Sequence, residues 1–387
     1  MKILYVTTIG TTMNFFNDFI EKLINDGHTV DIATNQSTSK VPEIYEELGC
    51  EIYDISCTRS PLNKNTIKAI GEIKRIVNEN EYDIVHCHTP IAAMCTRLAC
   101  IKARKKGTKV FYTAHGFHFY KGAPLKNWLI YYPIEKICSY FTDVLVTINK
   151  EDYELAQKKM RAKRIEYVHG VGLDTKKIFN TVVDRKKKRE ELGISDDTVM
   201  LLSVGELNQN KNHETVIKAL AQVNDKKVHY FVAGRGGKEE YLKSLAENLG
   251  LSENVHILGF RRDVIELYKV SDICVFPSIR EGLGKAALEG MAAGLPLIAS
   301  NNRGTRDYAI HGENALFCDC LFIEQFACAI KKIAYDKELC KKMGVQNIQK
   351  VKRFDVSNVI SEMEKIYFNL APKNSINKGK KEWKEML

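Results

Sequence analysis

Pro277-Ser278-Ile279-Arg280-Glu281-Gly282-Leu283-Gly284-Lys285-Ala286-Ala287-Leu288-Glu289-Gly290 follows the short apolar run Ile273–Phe276. Such a run predicts a buried strand, and the stretch after it reads as a glycine-bearing loop that enters a helix. Glu281 precedes the helical pattern and Glu289 lies eight positions on. At 100° per residue their carboxylates would stand within about 80° of each other on one helix. The glycines favour a different placement, with Glu281 in the loop and Glu289 on the helix. Gly282 and Gly284 permit close backbone approach at a helix N-terminus, where free N–H groups can hold phosphate. Carboxylates accept hydrogen bonds from sugar hydroxyls, so the stretch suits a ligand that is both phosphorylated and polyhydroxylated.

Outward from this stretch, apolar runs alternate with helical patterns. Before residue 170 the predicted strands are Lys2–Thr7, Thr29–Thr34, Glu51–Ser56, Ile84–Cys87, Lys109–Thr113 and Val144–Ile148, with a helix over Met13–Asp26 ended by Gly27. The pattern pauses over Val168–Asp174, and the charged run Asp184–Glu191 reads as a solvated helix face. It restarts with Val199–Val204, His229–Ala233, Val255–Leu258, Ile273–Phe276 and Pro296–Ala299. Alternation of this kind predicts parallel pairing and the α/β class. The expected domains are 1–170 and 171–354, both doubly wound, with a helix over 355–372 returning to the first. Ligand loops belong at the C-terminal ends of the strands, so two such domains facing each other would form a cleft. The Lys-rich tail after Pro372 is expected to fray.

Composition narrows the function classes. Among 387 residues, 58 Lys and Arg against 48 Asp and Glu give a net charge of +10. That charge suits nucleic acid, an anionic membrane or a phosphorylated substrate. No helix-turn-helix, zinc-finger or RRM-type signature supports nucleic acid. The eleven cysteines form no Cys-x-x-Cys pair, and the nearest two, Cys318 and Cys320, have no second half, so a zinc site is not expected. Scattered free thiols suit a reducing, cytoplasmic setting. No apolar run reaches the roughly 18 residues of a membrane span, and Met1–Val6 reads as a first strand.

The nucleotide chemistry narrows too. Only Gly10 lies in the first turn, so no Gly-x-Gly-x-x-Gly follows the first strand, and no Walker-type loop occurs. Ala233-Gly234-Arg235-Gly236-Gly237 could approach a phosphate or simply make a tight turn. No two aspartates stand two positions apart, so the pair that commonly holds a metal ion on a sugar-linked diphosphate is missing. Cations and backbone N–H groups would neutralise the diphosphate instead, with no metal and no cofactor.

The Glu281–Glu289 segment resembles the Glu-x7-Glu signature of the retaining family 4 glycosyltransferases, which have the GT-B fold: two Rossmann-like domains. Val204-Gly205-Glu206-Leu207-Asn208-Gln209-Asn210-Lys211-Asn212 resembles that family's phosphate-clamp loop. Leu258-Gly259-Phe260-Arg261-Arg262-Asp263-Val264 resembles its base-binding loop, and Thr113-Ala114-His115-Gly116 its acceptor-side histidine loop. The resemblance covers almost the whole chain. It implies that Glu289 binds the donor ribose and Glu281 the transferred sugar, with backbone N–H groups of Leu283, Gly284 and Lys285 nearby. Lys211 would contact the diphosphate, Gly10 would let the first loop approach it, and His115 would stand at the transferred sugar. Glu206 replaces the family's usual Arg, so its carboxylate must turn away, meet a cation or bind acceptor hydroxyls; Arg235 is a candidate replacement cation. Phe260 and Arg261 fall in the base-binding loop, and uridine is the expected base.

His88, His118 and Lys121 are candidate acceptor-side residues. The run from Phe117 to Tyr132 mixes aromatics with lysines, and Lys102, Arg104, Lys105 and Lys106 add a basic cluster. The mix suits an anionic membrane surface and a lipid diphosphate, although the aromatics could equally be core. The segment resembles capsule and exopolysaccharide transferases that extend polyprenyl-diphosphate-linked saccharides. The expected partners are therefore a nucleotide-sugar donor, with UDP as the expected nucleotide, that lipid-linked acceptor and the inner face of the cell membrane. A nucleotide-sugar epimerase of the same fold class, which needs no acceptor, and a basic nucleic-acid-binding protein are the rival readings.

Overall fold

The computed structural model describes residues 1–58 and 63–369. The expected tail after Pro372, and the last residues of the 355–372 helix, lie outside them. The chain divides into two compact units, Met1–Gly172 together with the segment from Ser357 onward, and Leu173–Val356.

The first unit is built on a seven-stranded sheet: β1 (Lys2–Val6), β2 (Thr29–Thr34), β3 (Ile52–Asp54), β4 (Ile84–His88), β5 (Lys109–Ala114), β6 (Val144–Thr147) and β7 (Arg164–Tyr167). Their order is β3-β2-β1-β4-β5-β6-β7, and the pairs are parallel. The second unit holds β8 (Val199–Val204), β9 (Val228–Ala233), β10 (Val255–Gly259), β11 (Ile273–Phe276), β12 (Leu297–Ser300) and β13 (Ala315–Cys318). Their order is β10-β9-β8-β11-β12-β13, again with parallel pairs. Each sheet is therefore doubly wound, and its order reverses once: between β1 and β4, and between β8 and β11. Parallel strands covered on both faces read as apolar runs because both faces are core. Leu4, Val6, Val85 and Val110 are buried on one sheet, and Leu201, Val232, Val275 and Ile298 on the other.

Several elements differ from the sequence expectation. Met13–Asp26 is not one helix: a 3-10 turn over Gly10–Phe15 precedes a helix over Asn17–Asn25. The Met13 carbonyl accepts the Tyr45 hydroxyl at 2.7 Å and the Phe16 N–H at 2.9 Å, so the first turn stays tight. β7 and β13 were not anticipated. Each has four residues, and Arg164-Ile165-Glu166-Tyr167 is half-buried throughout, so it shows no apolar run.

The charged run Asp184–Glu191 is solvated on one side only, where Asp184, Lys186, Lys187, Glu190 and Glu191 are exposed. Its helix, Arg185–Glu191, buries Lys188 and Arg189. The Arg189 guanidinium donates to the carbonyls of Val270, Ser195 and Thr198, and Lys188 pairs with Asp263 at 2.6 Å and Glu266 at 2.9 Å. Buried carbonyls need donors, and a long cation supplies several at once.

The aromatic run after His115 is largely core. Phe117 and Phe119 are buried and stack at 4.9 Å, and Trp128 and Tyr132 pack on the same cluster. The helix Leu125–Ser139 is fastened by Glu135, which takes Arg97 at 2.8 Å and the Tyr112 hydroxyl at 3.2 Å. That anchoring leaves Leu125, Leu129 and Ile130 facing out, with 73%, 69% and 49% of their surface exposed.

Candidate functional site

Each sheet brings some of its candidate residues to the strand ends beside the reversal of order, where a doubly wound sheet opens a crevice. In the second unit those ends belong to β8 and β11. The loop after β8 carries Glu206 and Lys211, and the loop after β11 carries Glu281 through Gly284. Lys211 Nζ donates to Glu281 Oε1 at 2.7 Å and lies 5.4 Å from the centre of the Phe276 ring. Two further bonds fasten the loops: the Ile279 N–H donates to the Asn210 carbonyl at 2.8 Å, and Asn210 Nδ2 donates to the Arg280 carbonyl at 2.9 Å.

The helix after this loop runs from Lys285 to Ala292. Glu281 is therefore in the loop and Glu289 in the second turn of the helix. Gly284 is its N-cap at φ +98°, where a side chain would strain the backbone and its Cβ would meet the Phe276 ring at 2.7 Å. Burial raises the Glu289 carboxyl above its ordinary range, opposed by Lys285, whose Nζ is 4.0 Å away. Leu283 is buried and Lys285 exposed. Sequence reading missed the brace behind this loop. Asn302 Nδ2 donates to the Ser278 carbonyl at 3.0 Å, Arg303 Nε donates to the Glu281 carbonyl at 3.2 Å, and a Cβ on Gly304 would meet the Leu283 carbonyl at 2.7 Å. The signal was the Asn301-Asn302-Arg303-Gly304-Thr305 cluster at the end of β12.

The other expected donor residues are placed as follows. Glu206 is exposed, and no cation pairs with its carboxylate among the described residues. Gly234 and Gly236 serve loop packing: a Cβ on either would strike the main chain of Gly205 or Leu207, at 1.8 and 2.4 Å. Arg235 is exposed with its guanidinium 5.6 Å from the Phe260 ring, and Phe260 stands 60% exposed at the end of β10. The Arg261 side chain is committed elsewhere, to Asp263 at 2.8 Å and Glu191 at 3.2 Å, so it does not point a free guanidinium at a base.

In the first unit the ends are those of β1, β4 and β5. Gly10 is buried against the neighbouring loop, where a Cβ would lie 2.4 Å from the Ser39 carbonyl oxygen. This contact alone accounts for the glycine. His115 follows β5 and is half-buried. His88, the last residue of β4, is fully buried behind it, its Nδ1 3.2 Å from His115 Nε2. His88 is thus a neighbour of His115 and has no open side for an acceptor. His118 stacks on Tyr131 at 4.5 Å, and Lys121 is exposed. His86, unremarked in the sequence, bonds Tyr367 at 2.5 Å and Thr113 at 2.8 Å, tying the helix Val356–Phe368 under the cluster.

The basic cluster does not flank His115. Lys102, Arg104, Lys105 and Lys106 lie on or at the end of the helix Ile101–Lys106, which enters β5 at Lys109, whereas His115 follows the other end of that strand. Six residues of strand, roughly 20 Å, separate them. Arg104 is moreover held by Asp143 at 2.8 and 2.9 Å. Among the described residues, no group of three or more His, Cys, Asp or Glu side chains could hold a metal ion, and no helix is long and apolar enough to cross a membrane.

Residues 184–350 match the family described as glycosyl transferases group 1, and residues 2–149 the glycosyl transferase 4-like family. EpsD of Bacillus subtilis (strain 168), a glycosyltransferase by name, is 40% identical over 95% of this chain and 96% of its own. An Escherichia coli protein named as a UDP-Gal:alpha-D-GlcNAc-diphosphoundecaprenol alpha-1,3-galactosyltransferase is 25% identical over 87% of this chain and 89% of its own. The crystal structure of Anabaena HepE in complex with UDP superposes with a TM-score of 0.80 at 19% identity, covering 95% of this chain and all of that one. Two doubly wound units, with both family matches and 40% identity to EpsD across nearly the full length, show that the chain belongs to the group 1 glycosyltransferases of GT-B fold and is a transferase.

Proposed function

We propose that this glycosyltransferase moves a hexose or N-acetylhexosamine from a UDP-sugar to a polyprenyl-diphosphate-linked saccharide, with retention and without a metal ion. The setting is the inner face of the cell membrane, in capsule or exopolysaccharide synthesis. The observation that carries the reading is the meeting of Lys211 and Glu281 at the β8/β11 reversal, beside the N-terminus of the helix that bears Glu289. One cation and a row of N–H groups suit a diphosphate, and two carboxylates suit ribose and sugar hydroxyls. The named donor and acceptor of the Escherichia coli relative agree with it.

In this reaction the acceptor hydroxyl attacks on the face that the diphosphate leaves. The bond from the anomeric carbon to the diphosphate breaks, and the acceptor proton passes to a diphosphate oxygen. Lys211 and the helix N-terminus stabilise the charge that develops on the leaving group. Glu281 orients the sugar through its hydroxyls, and Glu289 fixes the ribose.

The helix Leu125–Ser139 supports a lipid-borne acceptor. Leu125, Leu129 and Ile130 are exposed with Lys126 between them and Lys121 just before, a mixture that suits an anionic bilayer. Calorimetric titration with UDP-, GDP- and ADP-sugars, each with and without excess chelator, tests the donor site. Binding of a UDP-sugar that persists in chelator supports the reading. Preference for another nucleotide, or loss of binding with chelator, rejects it.

A further inference from the structure

His88 ends β4 and His115 directly follows the neighbouring β5, and their rings share one hydrogen bond, between Nδ1 of His88 and Nε2 of His115, at 3.2 Å. Burial pushes His115 down to about 4 and His88 well below the usual imidazole range, so both rings are neutral near pH 7. Between two neutral imidazoles one nitrogen brings the proton and the other the lone pair. Which one does so is decided by the far side of His88. Its Nε2 is buried and has no partner. The rings of Tyr5, Phe16 and His86 lie 5.4, 4.2 and 4.1 Å from its own. His86 cannot serve it, because both His86 nitrogens are taken by Tyr367 and Thr113.

If His115 donated, His88 would carry its proton on Nε2 and bury an unpaired N–H. If His88 donates from Nδ1, its donor is satisfied and only a lone pair is left unmatched. An orphaned buried N–H is the rarer arrangement in folded proteins. We infer that His88 is a positioning residue that donates its Nδ1–H to His115 Nε2 and so fixes His115 as the Nδ1–H tautomer. His115 has no other hydrogen-bond partner among the described residues. Toward a substrate it then offers an N–H and has no free lone pair, so it can hold a sugar oxygen and cannot take the acceptor proton. The role in transfer rests on the proposed function; the tautomer does not.

Long-range proton–nitrogen correlation spectra of the full chain, labelled with 15N-histidine at pH 7.5, test it directly. Both rings should be protonated on Nδ1, with the two assigned through His88→Asn and His115→Asn. A proton on His115 Nε2 overturns the inference. Two variants supply a second test. His88→Leu removes the donor, so His115 should become a mixture of tautomers and kcat should fall about tenfold or more with donor Kd unchanged. His88→Asn keeps a side-chain N–H and should restore both the tautomer and most of kcat. An unchanged His115 tautomer in His88→Leu also overturns it. If the spectra are as expected but the wild-type protein transfers no sugar, the proposed reaction fails and the tautomer assignment stands.

Discussion

Lys211 and Glu281 neutralise each other across 2.7 Å at the point where the second sheet reverses its strand order. In the proposed reaction the donor diphosphate competes with Glu281 for Lys211, and the carboxylate turns to sugar hydroxyls. Lys211→Ala removes the cation and leaves Glu281 facing the phosphates alone. A charge-assisted hydrogen bond contributes about 1.5–3 kcal/mol, so donor Kd should rise roughly 10- to 150-fold. Calorimetry with the UDP-sugar measures it; an unchanged Kd would remove Lys211 from the phosphate site.

Glu289 separates binding from stability. Burial raises its carboxyl, so folding binds a proton more tightly there than the unfolded chain does. Its contribution to stability is therefore full at low pH and is lost as pH rises through the folded value. Glu289→Gln should leave Tm at pH 7 equal or higher, with the gap to wild type closing toward pH 4, while donor binding is abolished. A lower Tm at pH 7, or unaltered donor affinity, would contradict this placement.

The histidine cluster sets an acid limit. Burial holds His86 at about 3 and His115 at about 4, and His88 well below the usual range. The unfolded chain takes up these protons below about pH 6.5 while the folded chain does not. Stability is thus present above that pH and lost as pH falls, by up to about 1.4 kcal/mol per pH unit for each ring. Thermal unfolding between pH 7 and 4 should show a steep decline that is shallower in His88→Leu. Parallel slopes in the two proteins would mean that His88 titrates normally.

Much of this was legible from sequence, and the failures have identifiable causes. The runs Val199–Val204 and Ile273–Phe276 coincide with β8 and β11 because parallel strands buried on both faces are continuously apolar. β7 was invisible because an edge strand of four half-buried residues has no such run. The burial of Lys188 and Arg189 was hidden because their partners, Asp263 and the Val270 carbonyl, lie more than seventy residues away. Gly10 was expected to let the first loop approach phosphate, and Gly234 and Gly236 either to approach one or to make a tight turn; a Cβ on any of the three would strike a neighbouring main chain, which local sequence cannot reveal. The pairing of His88 with His115 needed the β4–β5 register, which no local pattern encodes.

The two surfaces that could carry the proposed membrane docking can be told apart. Replacing Leu125, Leu129 and Ile130 with Ser should abolish most binding to anionic vesicles. Replacing Lys102, Lys105 and Lys106 with Ser should change it little, because that helix enters β5 at the end remote from His115. Sedimentation with vesicles at two salt concentrations measures both. Loss in the lysine variant alone would return docking to the basic cluster.

The most direct measurement is of the product itself. Purified protein is incubated with a panel of UDP-hexoses and UDP-N-acetylhexosamines, a synthetic polyprenyl-diphosphate saccharide and excess chelator, and the glycolipid is examined by mass spectrometry and NMR. The expected result is a lipid one sugar heavier, joined by a linkage with the anomeric configuration of the donor, and no product from Glu281→Gln. An inverted linkage, transfer only when a divalent metal is restored, or conversion of the UDP-sugar without any acceptor would contradict the proposed reaction.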